Sequence, residues 1–299
     1  MIKVSSGSVT SITNAEYHAA EAVSRSDLML FYKSPFHYYS AKYNFNRAKK
    51  TSPSMILGTL VHKMVLEPNS FADEFVIMPK FTTKKADKHL KTEWLEENKN
   101  KTIISLNLYD HAVEISDAFK RDHRFKVLQL DRCNKEQSIF FTHDRTGLTF
   151  KCRPDAFILG IPGTLNAHKS LNNGVAFDVK TCADASPGAF TRSILSNGYH
   201  IQAAIVKLGL QSVGIEMQTF WNCAIENTHP YVTAMYQYDE EIILKGLDDF
   251  EALASQFAVC HERKVWPAYN TQTLYLPRWA AQEIINEVDF DDEEEKEDE

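Results

Sequence analysis

Residues 148–155, LTFKCRPD, and residues 174–181, GVAFDVKT, each carry an apolar or β-branched run that leads into a carboxylate. Such runs are typical of strands, so Asp155 and Asp178 are predicted to lie at two strand ends. Strand alternation places Asp178 and Lys180 on one face of the second strand, with Val179 on the opposite face. We therefore expect two carboxylates and a lysine to converge at one edge of a sheet.

This set of side chains suits the hydrolysis of a phosphodiester. Carboxylate oxygens are ligands that Mg²⁺ prefers, and the metal would polarise the phosphate and lower the pKa of a bound water. A nearby lysine can orient that water or offset the charge on the phosphate oxygens. The pattern Asp/Glu-x-Lys occurs four times in the chain, and only the copy at 178–180 follows an apolar strand. The alternative interpretation is a structural ion pair at a strand end.

The remaining pattern predicts an α/β fold, in which a central mixed β-sheet is flanked by helices and preceded by a helical N-terminal region. Helices are predicted at 24–32, 55–66, 109–119, 187–196, 199–208 and 240–263, and strands at 137–142, 148–152, 156–159, 174–179, 217–224 and 231–238. Residues 1–23 are expected to be weakly structured, 24–285 to form a single domain, and 286–299 to be a disordered acidic tail.

The net charge of −7 does not exclude a nucleic-acid ligand. Residues 289–299 carry nine acidic residues and one lysine, a charge of −8, so the rest of the chain has a net charge of +1. The five cysteines include no C-x-x-C pair, which argues against a cysteine-based zinc or iron–sulfur site. No secretory signal or membrane-spanning apolar run is evident, so we expect a cytoplasmic protein with no membrane partner.

Five co-linear motifs between about residue 24 and about residue 240 extend this signature. They are Ser24-Arg25-Ser26-Asp27-Leu28 with Ser34-Pro35, Gly58-Thr59-Leu60-Val61-His62 with Leu66-Glu67-Pro68, Cys152-Arg153-Pro154-Asp155, Asp178-Val179-Lys180-Thr181, and Tyr199-His200-Ile201-Gln202. The pair Pro154-Asp155 and Asp178-Val179-Lys180 resembles the PD-(D/E)XK nuclease signature. The whole set resembles the RecE-type phage and prophage exonucleases, a branch related to the RecB nuclease domain, and implies a restriction-endonuclease-like core.

The resemblance implies metal ligands and catalytic residues. Asp155 and Asp178 would ligate the metal, together with the Val179 carbonyl and with His62 from the N-terminal helix. A lone histidine beside an apolar helical stripe is also consistent with an ordinary core or surface residue. Gly58, one helical turn before His62, would let another element approach closely. Lys180 would be the catalytic lysine.

The same resemblance implies roles for three residues of the fifth motif. Gln202, Tyr199 and His200 would contact the phosphate or orient Lys180, and ordinary polarity of a helix face is the alternative. Glu136, just before a strand, offers a further carboxylate, but an exposed glutamate is the favoured interpretation.

The function implied is that of a Mg²⁺-dependent exonuclease, with Mn²⁺ as a substitute. It would act on the ends of linear double-stranded DNA, degrade from 5′ to 3′ and leave 3′ single strands for phage-type recombination. A RecT-like annealing protein would be its partner, a ring-shaped homo-oligomer its assembly, and a phage or prophage in a bacterial host its source. The alternatives are an endonuclease or single-strand nuclease on the same fold, or a non-catalytic DNA-binding or interaction protein.

Two basic segments are the predicted DNA contacts. No acidic residue occurs between Asp27 and Glu67, where lysines and arginine alternate with aromatic residues, a combination suited to backbone tracking and base stacking. The lysines assigned to DNA binding are Lys49, Lys50, Lys84, Lys85 and Lys88. A solvated surface over a buried aromatic cluster is the alternative. The acidic tail is interpreted as a segment that keeps the protein soluble. The more specific alternatives are a mimic of DNA or a binding segment for a basic partner.

Overall fold

The computed structural model describes residues 7–43, 52–82, 85–126, 128, 130–159 and 173–277, with the backbone alone at 85–87. The helices in these ranges are α1 (Asn14–Ala19), α2 (Arg25–Lys33), α3 (Pro35–Tyr43), α4 (Pro53–Leu66), α5 (Phe71–Glu74), α6 (Lys85–Glu97), α7 (Leu106–Arg121), α8 (His123–Lys126), α9 (Pro187–Ser196), α10 (Tyr199–Ser212) and α11 (Glu240–Arg263). The strands are β1 (Ser8–Thr10), β2 (Phe75–Ile77), β3 (Thr102–Ile104), β4 (Asn134–Lys135), β5 (Ser138–Thr142), β6 (Thr149–Cys152), β7 (Ala156–Leu159), β8 (Asn173–Cys182), β9 (Glu216–Glu226) and β10 (Thr233–Gln237). Every helix and strand predicted above has a counterpart in this order.

The helix starts follow local sequence chemistry. The Ser24 side chain and Asp27 form a reciprocal capping box at the start of α2, which satisfies backbone N–H groups that have no partner inside the helix. Helix α9 begins with Pro187, a residue whose fixed φ suits the first helical position. The Asp239 side chain accepts from the Ile242 N–H and caps α11. Among the helices described, none is both long and apolar enough to cross a membrane.

The main sheet is mixed, as predicted. Its strand order is β10-β9-β8-β7-β4, in which β8 and β9 run parallel and the other neighbours are antiparallel. Strands β5 and β6 form an antiparallel hairpin across the predicted turn at 144–147, and β1 pairs with the outer edge of β5. Strands β2 and β3 form a separate parallel pair. The expectation of an α/β fold with a central mixed sheet is confirmed.

The prediction that residues 1–23 are weakly structured is wrong for residues 8–19. These residues form β1 and α1, and α1 starts with a capping box between Thr13 and Glu16. The buried ammonium of Lys151 on β6 donates to the carbonyl oxygens of Tyr17 and Ala20, at 2.7 and 2.9 Å. The segment is therefore ordered by partners more than a hundred positions away. Residues 1–6 and the predicted tail at 286–299 lie outside the described residues.

Helices cover both faces of the main sheet. Val175, Phe177 and Val179 of β8 pack in one buried cluster with α4 and α7. Ala176, from the alternate position of the same strand, packs in a second cluster with α9, α10 and α11. Because the side chains of a strand alternate, Asp178 and Lys180 belong to the α10 face. The sheet thus separates α4 from α10 at the point where the predicted catalytic residues lie.

Helices α10 and α11 approach each other unusually closely at Gly246. A Cβ atom at this position would lie 2.2 Å from the His200 carbonyl oxygen and 2.7 Å from the His200 carbonyl carbon. Only a residue without a side chain fits there. This contact sets how closely α10 packs against α11. It thereby sets the positions of Tyr199 and Gln202 relative to the sheet.

Candidate active site

The site begins at a notch in the edge of the main sheet. Strand β7 starts at Ala156, which pairs with Phe177, so the end of β8 from Asp178 onward extends past its neighbour. Asp155 fills this notch: it is buried, and its Oδ2 accepts a hydrogen bond of 2.6 Å from the Val179 N–H. The Val179 carbonyl lies on the same edge of β8 as its N–H, as in any extended strand. The predicted pairing of Asp155 with the Asp178–Lys180 strand end is therefore present.

His62 of α4 approaches the notch from the opposite side of the sheet to α10. Its Nδ1 lies 3.3 Å from Asp155 Oδ2. Burial disfavours the imidazolium, but the Asp155 charge outweighs burial and raises the pKa of His62 to about 9. A Cβ at Gly58 would lie only 3.3 Å from Thr181 Oγ1, so the glycine lets α4 pack closely on β8. The structure thus favours the site interpretation of His62 over an unrelated core histidine.

Glu136 completes this group, and the expectation of an exposed glutamate is wrong. His62, Glu136 and Asp155 each offer a ligand atom, and these atoms all lie within 4.8 Å of one another. The Glu136 N–H donates to the Asp155 carbonyl oxygen at 3.1 Å, and its backbone has a φ of 50°. Burial and then the Asp155 charge raise the pKa of Glu136 to about 8. The β4–β7 pairing brings this residue in, and no local pattern indicates that pairing.

These donors fit a divalent cation. The imidazole of His62 supplies one nitrogen donor, and the carboxylates of Glu136 and Asp155 supply oxygen donors. These are donor types that Mg²⁺ or Mn²⁺ binds. Within the described residues, this group could therefore hold a divalent cation, and its donors do not select the ion.

Asp178 and Lys180 lie on the α10 face, as the strand alternation predicts. Asp178 is only 1 % exposed, and its carboxylate contacts the Lys180 ammonium. Gln202 Nε2 donates to Asp178 Oδ1 at 2.5 Å. Burial opposes the charge on Lys180, but the carboxylates of Asp178 and Asp155 outweigh it and raise the pKa of the lysine. A fully charged lysine held beside a buried carboxylate can offset negative charge on a phosphate.

Asn222 is a part of this network that sequence reasoning missed. It lies opposite Asp178 in the β8–β9 register, and its Nδ2 is 3.4 Å from both the Asp178 carbonyl oxygen and Oδ2. The Tyr238 hydroxyl in turn donates to Asn222 Oδ1. The sequence signal that could identify Asn222 is its position inside the apolar run 219–225, because a buried side-chain amide needs hydrogen-bond partners.

The motif at 199–202 places two of its three predicted residues at the site and the third in the core. Tyr199 and Gln202 are one helical turn apart and reach the Lys180–Asp178 pair, whereas His200 does not. Both ring nitrogens of His200 are engaged elsewhere, with the Ile194 carbonyl at 3.0 Å and Asp249 Oδ2 at 2.9 Å. The prediction that His200 contacts the phosphate or orients Lys180 is therefore wrong. Positions 200 and 202 differ by about 200° around a helix, so they cannot face the same strand.

The ring of Tyr199 lies close to two cations. Lys180 Nζ is 4.9 Å from the ring centroid, and the Arg25 guanidinium carbon is 5.3 Å from it, distances at which a cation is attracted to an aromatic ring. Arg25 also donates to the carbonyl oxygens of Asn197 and Gly198. Arg25 lies within the first sequence motif, but the local pattern there gives it no role at the site.

The predicted DNA-contact lysines remain a prediction. Lys49, Lys50 and Lys84 lie outside the described residues, and Lys85 is described by its backbone alone, at the first position of α6. Lys88 lies on α6 and is exposed.

A family model described as "PDDEXK-like domain of unknown function (DUF3799)" matches residues 24–276. No curated protein matches the chain. Among solved structures, a putative exonuclease from Eubacterium rectale is similar in fold, with a TM-score of 0.59 and 14 % sequence identity. The similarity covers 93 % of this chain and 100 % of that one. The chain therefore belongs to the DUF3799 family of PDDEXK-like domains and is a PD-(D/E)XK nuclease.

Proposed function

We propose that this protein is a DNA exonuclease that depends on a divalent cation, Mg²⁺ in the cell, with Mn²⁺ able to substitute. The observation that carries the proposal is the convergence of side chains from β8, α4, α10 and the residue before β7 on one edge of the sheet. Two carboxylates, an imidazole, an ammonium and an amide meet there. The similarity in fold to a putative exonuclease supports the exonuclease class.

The cation would be held by His62, Asp155 and Asp178, with Glu136 and the Val179 carbonyl as further donors. When bound, it would withdraw electron density from the phosphate and favour attack by water. The remaining contributions to the reaction come from side chains of the protein.

Lys180 would place positive charge beside the phosphate oxygens that gain charge in the transition state. Gln202 and Asn222 hold the Asp178 carboxylate in one orientation, and Tyr199 lies against the ammonium of Lys180. Because these groups are fixed before substrate arrives, little reorganisation is needed at the moment of reaction.

The finer features of the proposal follow from the RecE-like resemblance. The substrate would be an end of linear duplex DNA, degraded from 5′ to 3′ to leave a 3′ single strand for phage-type recombination. A RecT-like annealing protein would receive that strand, and a ring-shaped homo-oligomer would hold the duplex.

Cleavage of matched substrates tests the proposal. End-labelled linear duplex and covalently closed circles are incubated with Mg²⁺ or with EDTA, beside the Asp178→Ala variant. The matched control is Asp248→Ala, which removes an exposed carboxylate on α11. We expect loss of linear DNA only, abolished by EDTA and by Asp178→Ala and unchanged in Asp248→Ala. Labelling either the 5′ or the 3′ end then reports polarity from the size of the first product.

Two results would contradict the proposal. Cutting of closed circles would indicate an endonuclease on the same fold. Metal-independent DNA binding with no cutting under any condition would indicate a non-catalytic binding protein.

A further inference from the structure

Helix α3 presents aromatic side chains to solvent, the reverse of the usual arrangement. Phe36, Tyr39 and Tyr43 are 50 %, 42 % and 45 % exposed, whereas Tyr38 of the same helix is buried. At 100° per residue, the three exposed rings lie within about 60° of one another around the helix axis. They form one continuous stripe, called here the aromatic face (Phe36, Tyr39 and Tyr43).

The aromatic face packs against the segment that follows α11. Tyr39 lies 5.1 Å from Tyr43 and stacks on Trp266 at 6.1 Å, measured between ring centroids. Trp266 in turn packs edge-on against Phe257 in the core, and the Phe36 N–H donates to the Pro267 carbonyl at 3.0 Å. Packing of Tyr39 and Tyr43 against neighbouring rings reduces the conformational entropy that they would lose when a flat ligand stacks on them.

The surroundings of the aromatic face are positively charged. Lys33 and Lys42, at the ends of α2 and α3, are exposed, and the sequence has no acidic residue between Asp27 and Glu67. The segment 262–264, which leads into Trp266, adds the exposed cations Arg263 and Lys264 and the exposed carboxylate of Glu262. An apolar protein surface as partner would not need these cations, whereas a phosphate backbone would.

The aromatic face lies about one helix length from the cleavage site. Helix α2 starts at Arg25, whose guanidinium lies over the Tyr199 ring beside Lys180. Its nine residues span about 13 Å, and α3 follows directly after Ser34. A nucleic-acid strand that leaves the site along α2 therefore reaches Phe36 within a few nucleotides.

We propose that the aromatic face binds single-stranded DNA, with unpaired bases stacked on Phe36, Tyr39 and Tyr43 and phosphates beside Lys33 and Lys42. Bases inside a duplex cannot stack on protein rings, so the ligand is a strand already separated from its complement. The proposal rests on the proposed nuclease function, because cleavage is what creates unpaired DNA beside the site.

The test measures binding without cleavage, so that it does not depend on the reaction. In an Asp178→Ala background with EDTA, fluorescence anisotropy follows binding of an oligothymidylate of about a dozen nucleotides and of an abasic oligomer with the same number of phosphates. We expect Phe36→Ala, Tyr39→Ala and Tyr43→Ala together to weaken oligothymidylate binding by about tenfold or more. Binding of the abasic oligomer should not change.

Two control variants and one salt titration sharpen the result. Tyr39→Phe with Tyr43→Phe keeps both rings and should bind like the parent. Leu244→Ala with Val259→Ala removes exposed apolar side chains of α11 and should have no effect. Lys33→Ala with Lys42→Ala should reduce the slope of log K against log salt by about 1.4, at about 0.7 for each phosphate that is no longer neutralised by a lysine.

A second measurement does not depend on the folding of any alanine variant. Oligonucleotides that carry 5-iodouracil are photocrosslinked to the Asp178→Ala protein, and the sites are mapped by mass spectrometry. Crosslinks at Phe36, Tyr39 or Tyr43 support the proposal. Crosslinks confined to other regions would overturn it, as would equal loss of abasic and oligothymidylate binding in the triple variant. A triple variant that changes the sedimentation coefficient of the protein and leaves DNA binding intact would show a self-association surface instead.

Discussion

Replacing Gly246 with alanine tests whether the α10–α11 contact sets the geometry of the active site. The added Cβ would lie 2.2 Å from the His200 carbonyl oxygen. A backbone carbonyl cannot rotate away as a flexible side chain does, so the two helices must separate. A tolerable contact requires a displacement of about 1 Å, since even the closest real Cβ contacts lie near 3.0 Å.

The displacement has two measurable consequences. Overpacking of this size costs about 1–3 kcal/mol of unfolding free energy, and the higher helix propensity of alanine returns about 1 kcal/mol of it. We therefore expect a net loss of up to about 2 kcal/mol. The effect on activity is larger, because Gln202 and Tyr199 move with His200 and a misplacement of about 1 Å can cost about 100-fold in rate.

Urea denaturation and the rate of linear-duplex degradation measure the two effects on one preparation. Gly188→Ala is the matched control, because its Cβ would meet nothing nearer than Arg192 Nη1 at 3.8 Å. This control should keep wild-type activity and equal or slightly higher stability. If Gly246→Ala were as stable and as active as Gly188→Ala, the close approach of the two helices would be refuted.

Three further predictions concern backbone conformation, a buried cation and the metal site. Gly214→Ala and Gly198→Ala should each cost about 1–2 kcal/mol of unfolding free energy for φ values of 79° and 67°, because the Met29 side chain that a Cβ at Gly198 would meet is flexible and can move aside; a loss in urea denaturation no larger than that of Gly188→Ala would contradict this. Burial lowers the pKa of Lys151 from 10.5 to about 8, so between these pH values the unfolded chain binds more protons. The unfolding free energy of the wild type should therefore rise relative to Lys151→Met by up to about 1.4 kcal/mol per pH unit, and a difference that stays flat across this window would refute the assignment. Glu136→Gln should weaken Mn²⁺ binding in calorimetry by about tenfold or more, whereas Glu21→Gln, an exposed substitution, should not; equal affinities would remove Glu136 from the site.

Local pattern predicts most of the secondary structure of this chain because each element has a strong local cause. The predicted bounds of the last helix, 240–263, agree with α11, where Asp239 supplies the cap and an amphipathic stripe supplies the buried face. The relation between Asp178 and Lys180 likewise follows from the period of a strand, which needs no knowledge of the fold.

The remaining site residues depend on contacts between distant segments. Glu136 joins the site only because β4 pairs with β7, and Asn222 joins it only through the register of β9 on β8. Arg25 is brought in by the packing of α2 on the turn before α10. His200 is the opposite case, because the helical period alone separates it from Gln202. Residues that are neighbours in one sequence motif thus lie on different faces of α10.

Strand β8 divides the candidate site into two compartments with separate mechanical supports. The proposed ligands His62 and Glu136 lie on α4 and directly after β4. Asp178 and Lys180 lie on β8 and face α10, which supplies Gln202, and the hydrogen bond from the Val179 N–H to Asp155 joins the two groups. Substitutions on α4 can therefore retune the choice of metal ion while the lysine compartment stays intact. For protein engineering, Asp178 couples the two compartments, because it is a proposed metal ligand that also contacts Lys180 and Gln202. Substitutions on the α10 side should therefore change metal binding and phosphate activation together, whereas substitutions on α4 act on the metal ligands.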